Sequence, residues 1–195
     1  MTPTIVAVAS LPAIAFVRSP HRGAPTRSTT QAITIHATAG HEGPTKAEDC
    51  ARMMLNPLLK PKRSAHYIVD SNSIVQCVLD PGVAWHCGKT GNAKTIGIEL
   101  CGMTNQKHEE WFDETSLATL QLAARLIATL CSRFSLPAQY VAAADLVRGE
   151  RGITTHNDVS LAWRETNHTD PGPTFPLSEF IAAVAAARAS ANLVA

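Results

Sequence analysis

Two histidines and an aspartate carry the first chemical signal in this chain. His36 ends a β-branched run, "AITIHAT", and His156 sits in "GITTHND". Asp170 lies in "HTDPGPTFP". Two imidazoles and a carboxylate, with one coordination position left open, suit a catalytic zinc ion. Spacing alone leaves this open, since eight histidines offer many triplets. The turn around Asp170 adds weight. Pro171 biases Asp170 toward extended backbone, Gly172 lets the chain fold back sharply, and Pro173 closes the segment. A carboxylate ligand gains from such pre-setting, although Asp-Pro-Gly is also an ordinary turn. His168 stands two residues before Asp170, so in extended backbone both side chains project to one side. Glu99, in "KTIGIEL", is a lone carboxylate on the polar face of an otherwise apolar strand. It is either a solvated strand residue or a group placed there for use.

Several elements must position these residues. Ile33 and Ile35 alternate with Thr34 and His36, which predicts a short strand ending near His36. "SAHYIVD" and "SIVQCVL" read as two strands joined by a hairpin at Ser71-Asn72. In "KTIGIEL", Ile96, Ile98 and Leu100 share one face and Gly97 and Glu99 the other. Thr45-x-x-Glu48 is a capping-box pattern that opens a helix over about Lys46 to Leu55. Leu117, Leu120, Ala124, Ile127 and Cys131 recur at helical spacing from about Asp113 to Phe134. A last helix runs from about Leu177 to Ala191. Strands and helices interleave, so the expected fold class is α/β, with a mixed central sheet flanked by helices.

Composition narrows the function. The chain has 195 residues, 45% of them hydrophobic, and a formal net charge of +1. That is enough for one core and too little charge for a partner such as nucleic acid. Lys60-Pro61-Lys62-Arg63 is the densest basic cluster and reads as a solvated loop. Five cysteines without a Cys-x-x-Cys pair read as buried apolar residues of a reducing compartment. The apolar N-terminus, Thr4 to Val17, is broken by Pro12 and lacks a preceding basic residue. It makes a poor export signal and is too short for a stable membrane insertion.

Taken in order, "ITIHATAG", "SAHYIVD" with "SIVQCV", "AWHCGKTGN", "TIGIELCG", "TTHNDVS" and "HTDPGPTFP" resemble the zinc-dependent N-acetylmuramoyl-L-alanine amidases. That family includes phage endolysins, muropeptide-recycling amidases and peptidoglycan recognition proteins. The resemblance runs from about Ile33 to Phe180. It implies an amidase/peptidoglycan-recognition-protein-like fold, with residues 1–30 as an extension packing on the domain and 31–195 as the catalytic domain. It further implies Zn2+ held by His36, His156 and Asp170, with Glu99 as the catalytic carboxylate. His168 stands where many relatives carry Lys. An imidazole there serves the oxyanion or the leaving amine as general acid. Trp85, His86 and Asn92 match a segment near the substrate groove. Tyr67 corresponds to a residue near the metal, as substrate contact or outer-shell partner. His41 reads as a solvated loop residue, and His21 and His108 as surface residues.

The implied activity is hydrolysis of the bond between N-acetylmuramic acid and L-alanine in peptidoglycan, by a monomer. The expected setting is a phage endolysin, made in the host cytoplasm without its own signal peptide and acting on the cell wall to cause lysis. The alternatives are a cytoplasmic recycling amidase, a zinc hydrolase of another amide, and a peptidoglycan-binding module without catalysis.

Overall fold

The computed structural model describes residues 4–24 and 26–192. Strands β1 (Ala15–Phe16), β2 (Ala32–Ala37), β3 (Tyr67–Val69), β4 (Ile74–Gln76), β5 (Thr95–Leu100) and β6 (Gly152–Thr155) form one sheet in the order β1-β4-β3-β5-β2-β6. Only β3 and β4 pair antiparallel; the other neighbours run parallel. The sheet is thus mixed, as the alternation of elements predicts. Helices α1 (Lys46–Leu55), α2 (Gly88–Lys94), α3 (Glu114–Arg133), α4 (Ala143–Arg148), α5 (His156–Trp163) and α6 (Leu177–Asn192) complete it, with a 3-10 turn over His108–Phe112.

The β2 and β5 side chains divide by the period of two. Ile33, Ile35, Ile96 and Ile98 are fully buried in a cluster with Leu120 and Ile127 of α3 and Phe180 and Val184 of α6. Each contributes about 1.5–3 kcal/mol by leaving water. The opposite face meets α1, where Ala47, Ala51 and Met54 pack on Ile68 and Val75. Asp113 caps α3, its side chain accepting from the backbone N–H of Ser116 at 2.8 Å.

The capping box expected at Thr45 does not form. Thr45 adopts φ +77° and makes no side-chain cap. Asp70, just after β3, replaces it, accepting from the backbone N–H of Ala47 at 3.0 Å. The same carboxylate shapes the hairpin, accepting from the N–H of Asn72 and Ser73. One aspartate therefore ties α1 to the β3–β4 turn. His21, expected at the surface, is buried, with Nε2 2.8 Å from the Asn56 carbonyl. His108 is half-buried, 3.2 Å from the Thr174 carbonyl.

The turn after Asp170 depends on Gly172. Its φ is +105°, and a Cβ there would lie 2.2 Å from the Thr104 carbonyl oxygen. Gly172→Ala is therefore expected to destabilise by about 1–3 kcal/mol. That corresponds to a Tm lowered by roughly 2–10 °C in a chain of this size. Calorimetry showing an unchanged Tm would contradict the packing described.

Candidate metal centre

The parallel register places the polar residues in a row. His36 on β2 stands opposite Glu99 on β5. On the other side β6 pairs with β2 as far as Ile35 and Thr155. The next residue, His156, opens α5 beside His36. Glu99, His36 and His156 thus emerge at the carboxyl ends of three adjacent parallel strands, where α/β sheets place their ligand sites. Asp170 arrives from the loop before α6, and its carbonyl accepts from the backbone N–H of Asn157 at 3.1 Å.

His36 Nδ1 lies 2.9 Å from one Asp170 carboxylate oxygen, and His156 Nδ1 lies 3.0 Å from the other. The donor atoms of the three residues all fall within 4.8 Å of one another. A tetrahedral ion bound at about 2.0–2.1 Å spaces its ligand atoms roughly 3.3 Å apart, so the cluster fits a divalent cation after small adjustments. Charge points the same way. Asp170 is buried, and among the described residues only histidines pair with it. Burial alone would raise its carboxyl. The hydrogen bonds from His156 and His36 prevail and hold it well below the carboxylate range. Burial pushes the His36 imidazole down, against the raising contact with Asp170. Two imidazoles around a buried carboxylate make a site that favours a cation.

Each histidine is held from behind. His156 Nε2 lies 3.1 Å from Thr166 Oγ1, itself 2.6 Å from Ser160 Oγ. His36 Nε2 lies 2.9 Å from His86 Nδ1. His168 stacks on the His156 ring, with centroids 4.7 Å apart and planes 9° from parallel. Its Nδ1 is 3.6 Å from Asp170, and its side chain is 65% exposed, so it faces both the cluster and solvent. The rim loop carrying Thr166 and His168 is latched by Glu165, whose carboxylate accepts from the Thr90 backbone N–H at 2.6 Å and from its hydroxyl at 2.7 Å.

His36, His86, His156, His168 and Asp170 sit in a cleft of about 740 Å³, whose walls include Glu99, Trp85, Arg63 and Met53. That volume lies within the range of small-ligand sites. Glu99 keeps a partial opening to the cleft. Burial pushes its carboxyl up to about 8, and the Asp170 carboxylate adds to the shift. Its ordinary value is near 4.5, so the folded chain holds this proton more tightly than the unfolded one. Stability is then lost as pH rises from about 4.5 to about 8. In metal-free protein, Glu99→Gln is expected to melt with wild type near pH 4 and above it at pH 8–9. A Tm difference independent of pH would contradict the shift.

The structure brings together His36, Glu99, His156, His168 and Asp170, with Trp85, His86 and Asn92 beside them along the cleft. Asn92 is turned inward, its Oδ1 accepting from the backbone N–H of both His86 and Cys87 at 2.8 Å. Tyr67 does not join them. It pairs with Ile98 on the apolar face, and its hydroxyl donates to Asp80 at 2.5 Å. Period-two alternation puts it on the opposite face from Glu99. His41 is exposed on the loop after β2. Thr166 and Ser160, which the sequence reading passed over, carry no signal beyond being short hydroxyls near His156.

Residues 26–173 match the family model for N-acetylmuramoyl-L-alanine amidase. The N-acetylmuramoyl-L-alanine amidase CwlH of Bacillus subtilis (strain 168) is 37% identical over 73 residues, which are 35% of this chain and 28% of that protein. The match thus spans less than a third of the curated relative. The Staphylococcus aureus hydrolase AmiA, solved in complex with its ligand, superposes with a TM-score of 0.72 at 18% identity, over 92% of this chain and 84% of the other. A mutant endolysin from Bacillus subtilis superposes with a TM-score of 0.60 at 22% identity, over 88% of this chain and 98% of the other. These likenesses show a shared fold.

Proposed function

The chain belongs to the N-acetylmuramoyl-L-alanine amidase family, and from that premise we propose that it is a zinc-dependent amidase cutting the bond between N-acetylmuramic acid and L-alanine in peptidoglycan. The observation that carries the proposal is the row Glu99, His36, His156, completed by Asp170, at the carboxyl edge of the sheet. A binding module has no need of a half-buried carboxylate lining the cleft beside three metal-ligand groups.

His36, His156 and Asp170 would hold the ion, and zinc bound there would supply Lewis acidity and make water more acidic. Glu99 orients the attacking water and takes its proton as general base. His168 reaches the same carbonyl from the rim and either donates to the developing oxyanion or protonates the leaving nitrogen of L-alanine. The Glu165 latch on Thr90 keeps that rim in place. Trp85 offers a flat apolar wall to the substrate. We place the enzyme in the lytic setting of a phage endolysin, which the endolysin among its structural neighbours supports.

Incubation with purified peptidoglycan tests the bond assignment. New amino termini are expected at L-alanine alone. New reducing sugar ends, or amino termini elsewhere in the stem peptide, would overturn it.

A further inference from the structure

His86 was expected to touch substrate, and the structure gives it another partner. Its Nδ1 lies 2.9 Å from Nε2 of His36, with the two rings edge to face at 5.0 Å. The His36 nitrogen on the other side of the ring, Nδ1, is the one turned to Asp170. The position of His86 is built from several directions. Asn92 clamps the backbone N–H groups of His86 and Cys87. The ring lies flat over Gly97, where a Cβ would come within 2.6 Å of Nδ1. Gly97 is thus the one site in the alternating β5 polar face that must lack a side chain, and it lies between Thr95 and Glu99.

From this arrangement we infer that His86 is a positioning residue of the metal centre: once an ion takes the place of the proton on His36 Nδ1, the Nε2–H of His36 is donated to Nδ1 of His86, fixing the tautomer and ring plane in which His36 offers Nδ1 to the ion. The inference rests on the zinc reading above. Hydrogen bonds behind a ligating histidine restrict its rotation and raise its basicity, and their loss weakens metal binding about ten- to a hundred-fold. An imidazole is required less than an acceptor at that point. The Asn side chain hangs its oxygen from the same carbon that bears Nδ1 in histidine, so it can replace the acceptor.

The test compares wild type, His86→Asn and His86→Leu by chelator competition for zinc, with KM on a soluble muropeptide measured at saturating zinc. The leucine variant is expected to lose about ten- to a hundred-fold in zinc affinity, the asparagine variant to retain most of it, and KM to stay level in both. Zinc affinity unchanged in His86→Leu would overturn the inference. So would a raised KM with unchanged zinc affinity, which would return His86 to substrate contact. Should His86→Leu fail to fold, His86→Gln takes its place; its oxygen lies one methylene too far out, and wild-type zinc affinity there would equally overturn the inference. A wild-type chain that takes up no zinc overturns the parent reading instead, and this one with it.

Discussion

Replacing His36 or His156 with alanine is expected to remove zinc and activity together. The three ligand groups meet through one carboxylate, His36 on one oxygen and His156 on the other. Losing either imidazole leaves two ligands and a buried carboxylate with half its hydrogen bonds. Metal chemistry of this kind contributes several kcal/mol to barrier lowering, so turnover should fall by at least about a thousand-fold. The fold should survive, because the main core lies on the other face of the sheet, around Ile35, Ile98 and Ile127. Metal analysis of the purified variants, alongside circular dichroism, checks this. Stoichiometric zinc in either variant would remove that histidine from the ligand set.

Glu99→Gln separates chemistry from binding. The substitution is nearly isosteric and leaves His36, His156 and Asp170 untouched, so zinc content should match wild type. The amide cannot take a proton from water. Turnover should drop about a hundred- to ten-thousand-fold, the usual contribution of a positioned general base, with KM changing little. The two variants together form a pattern: one loses metal and rate, the other rate alone. An unchanged rate on purified peptidoglycan would make Glu99 a buried structural carboxyl.

The residues that the sequence exposed most clearly are those governed by strict alternation. Ile33 to His36 and Ile96 to Glu99 show which side chains share a face, and strand pairing then sets His36 against Glu99. The same rule, applied to Tyr67 in "SAHYIVD", turns it to the apolar side once β3 pairs in parallel with β5. That pairing partner is not written in the local pattern. Helices α2 and α5, of seven and eight residues, are too short to show a period, so the contexts of His86 and His156 stayed hidden. The β1 strand has two residues, both exposed, and offers no apolar pattern to detect. His21 reads as a surface residue because its neighbours are polar and proline-rich; tertiary contacts with Asn56, Ser64 and Trp85 bury it. The His36–His86 contact joins residues fifty positions apart. It depends on a missing side chain at Gly97, a signal legible only after the sheet is assembled. The capping box at Thr45 matches in letters and fails in geometry: Thr45 takes a left-handed backbone and makes no cap, and Asp70 supplies an acceptor instead.

If these residues make a zinc-dependent amidase, product release from the cell wall must depend on zinc and on a single bond. Purified peptidoglycan is digested with the protein as isolated, after chelation, and after zinc is returned, and the soluble products are identified by mass spectrometry. Stem peptides with free amino-terminal L-alanine and glycan strands with intact lactyl groups are expected. Release should cease on chelation and return with zinc. Release that ignores chelation, or products cut at any bond other than muramoyl–alanine, would contradict it.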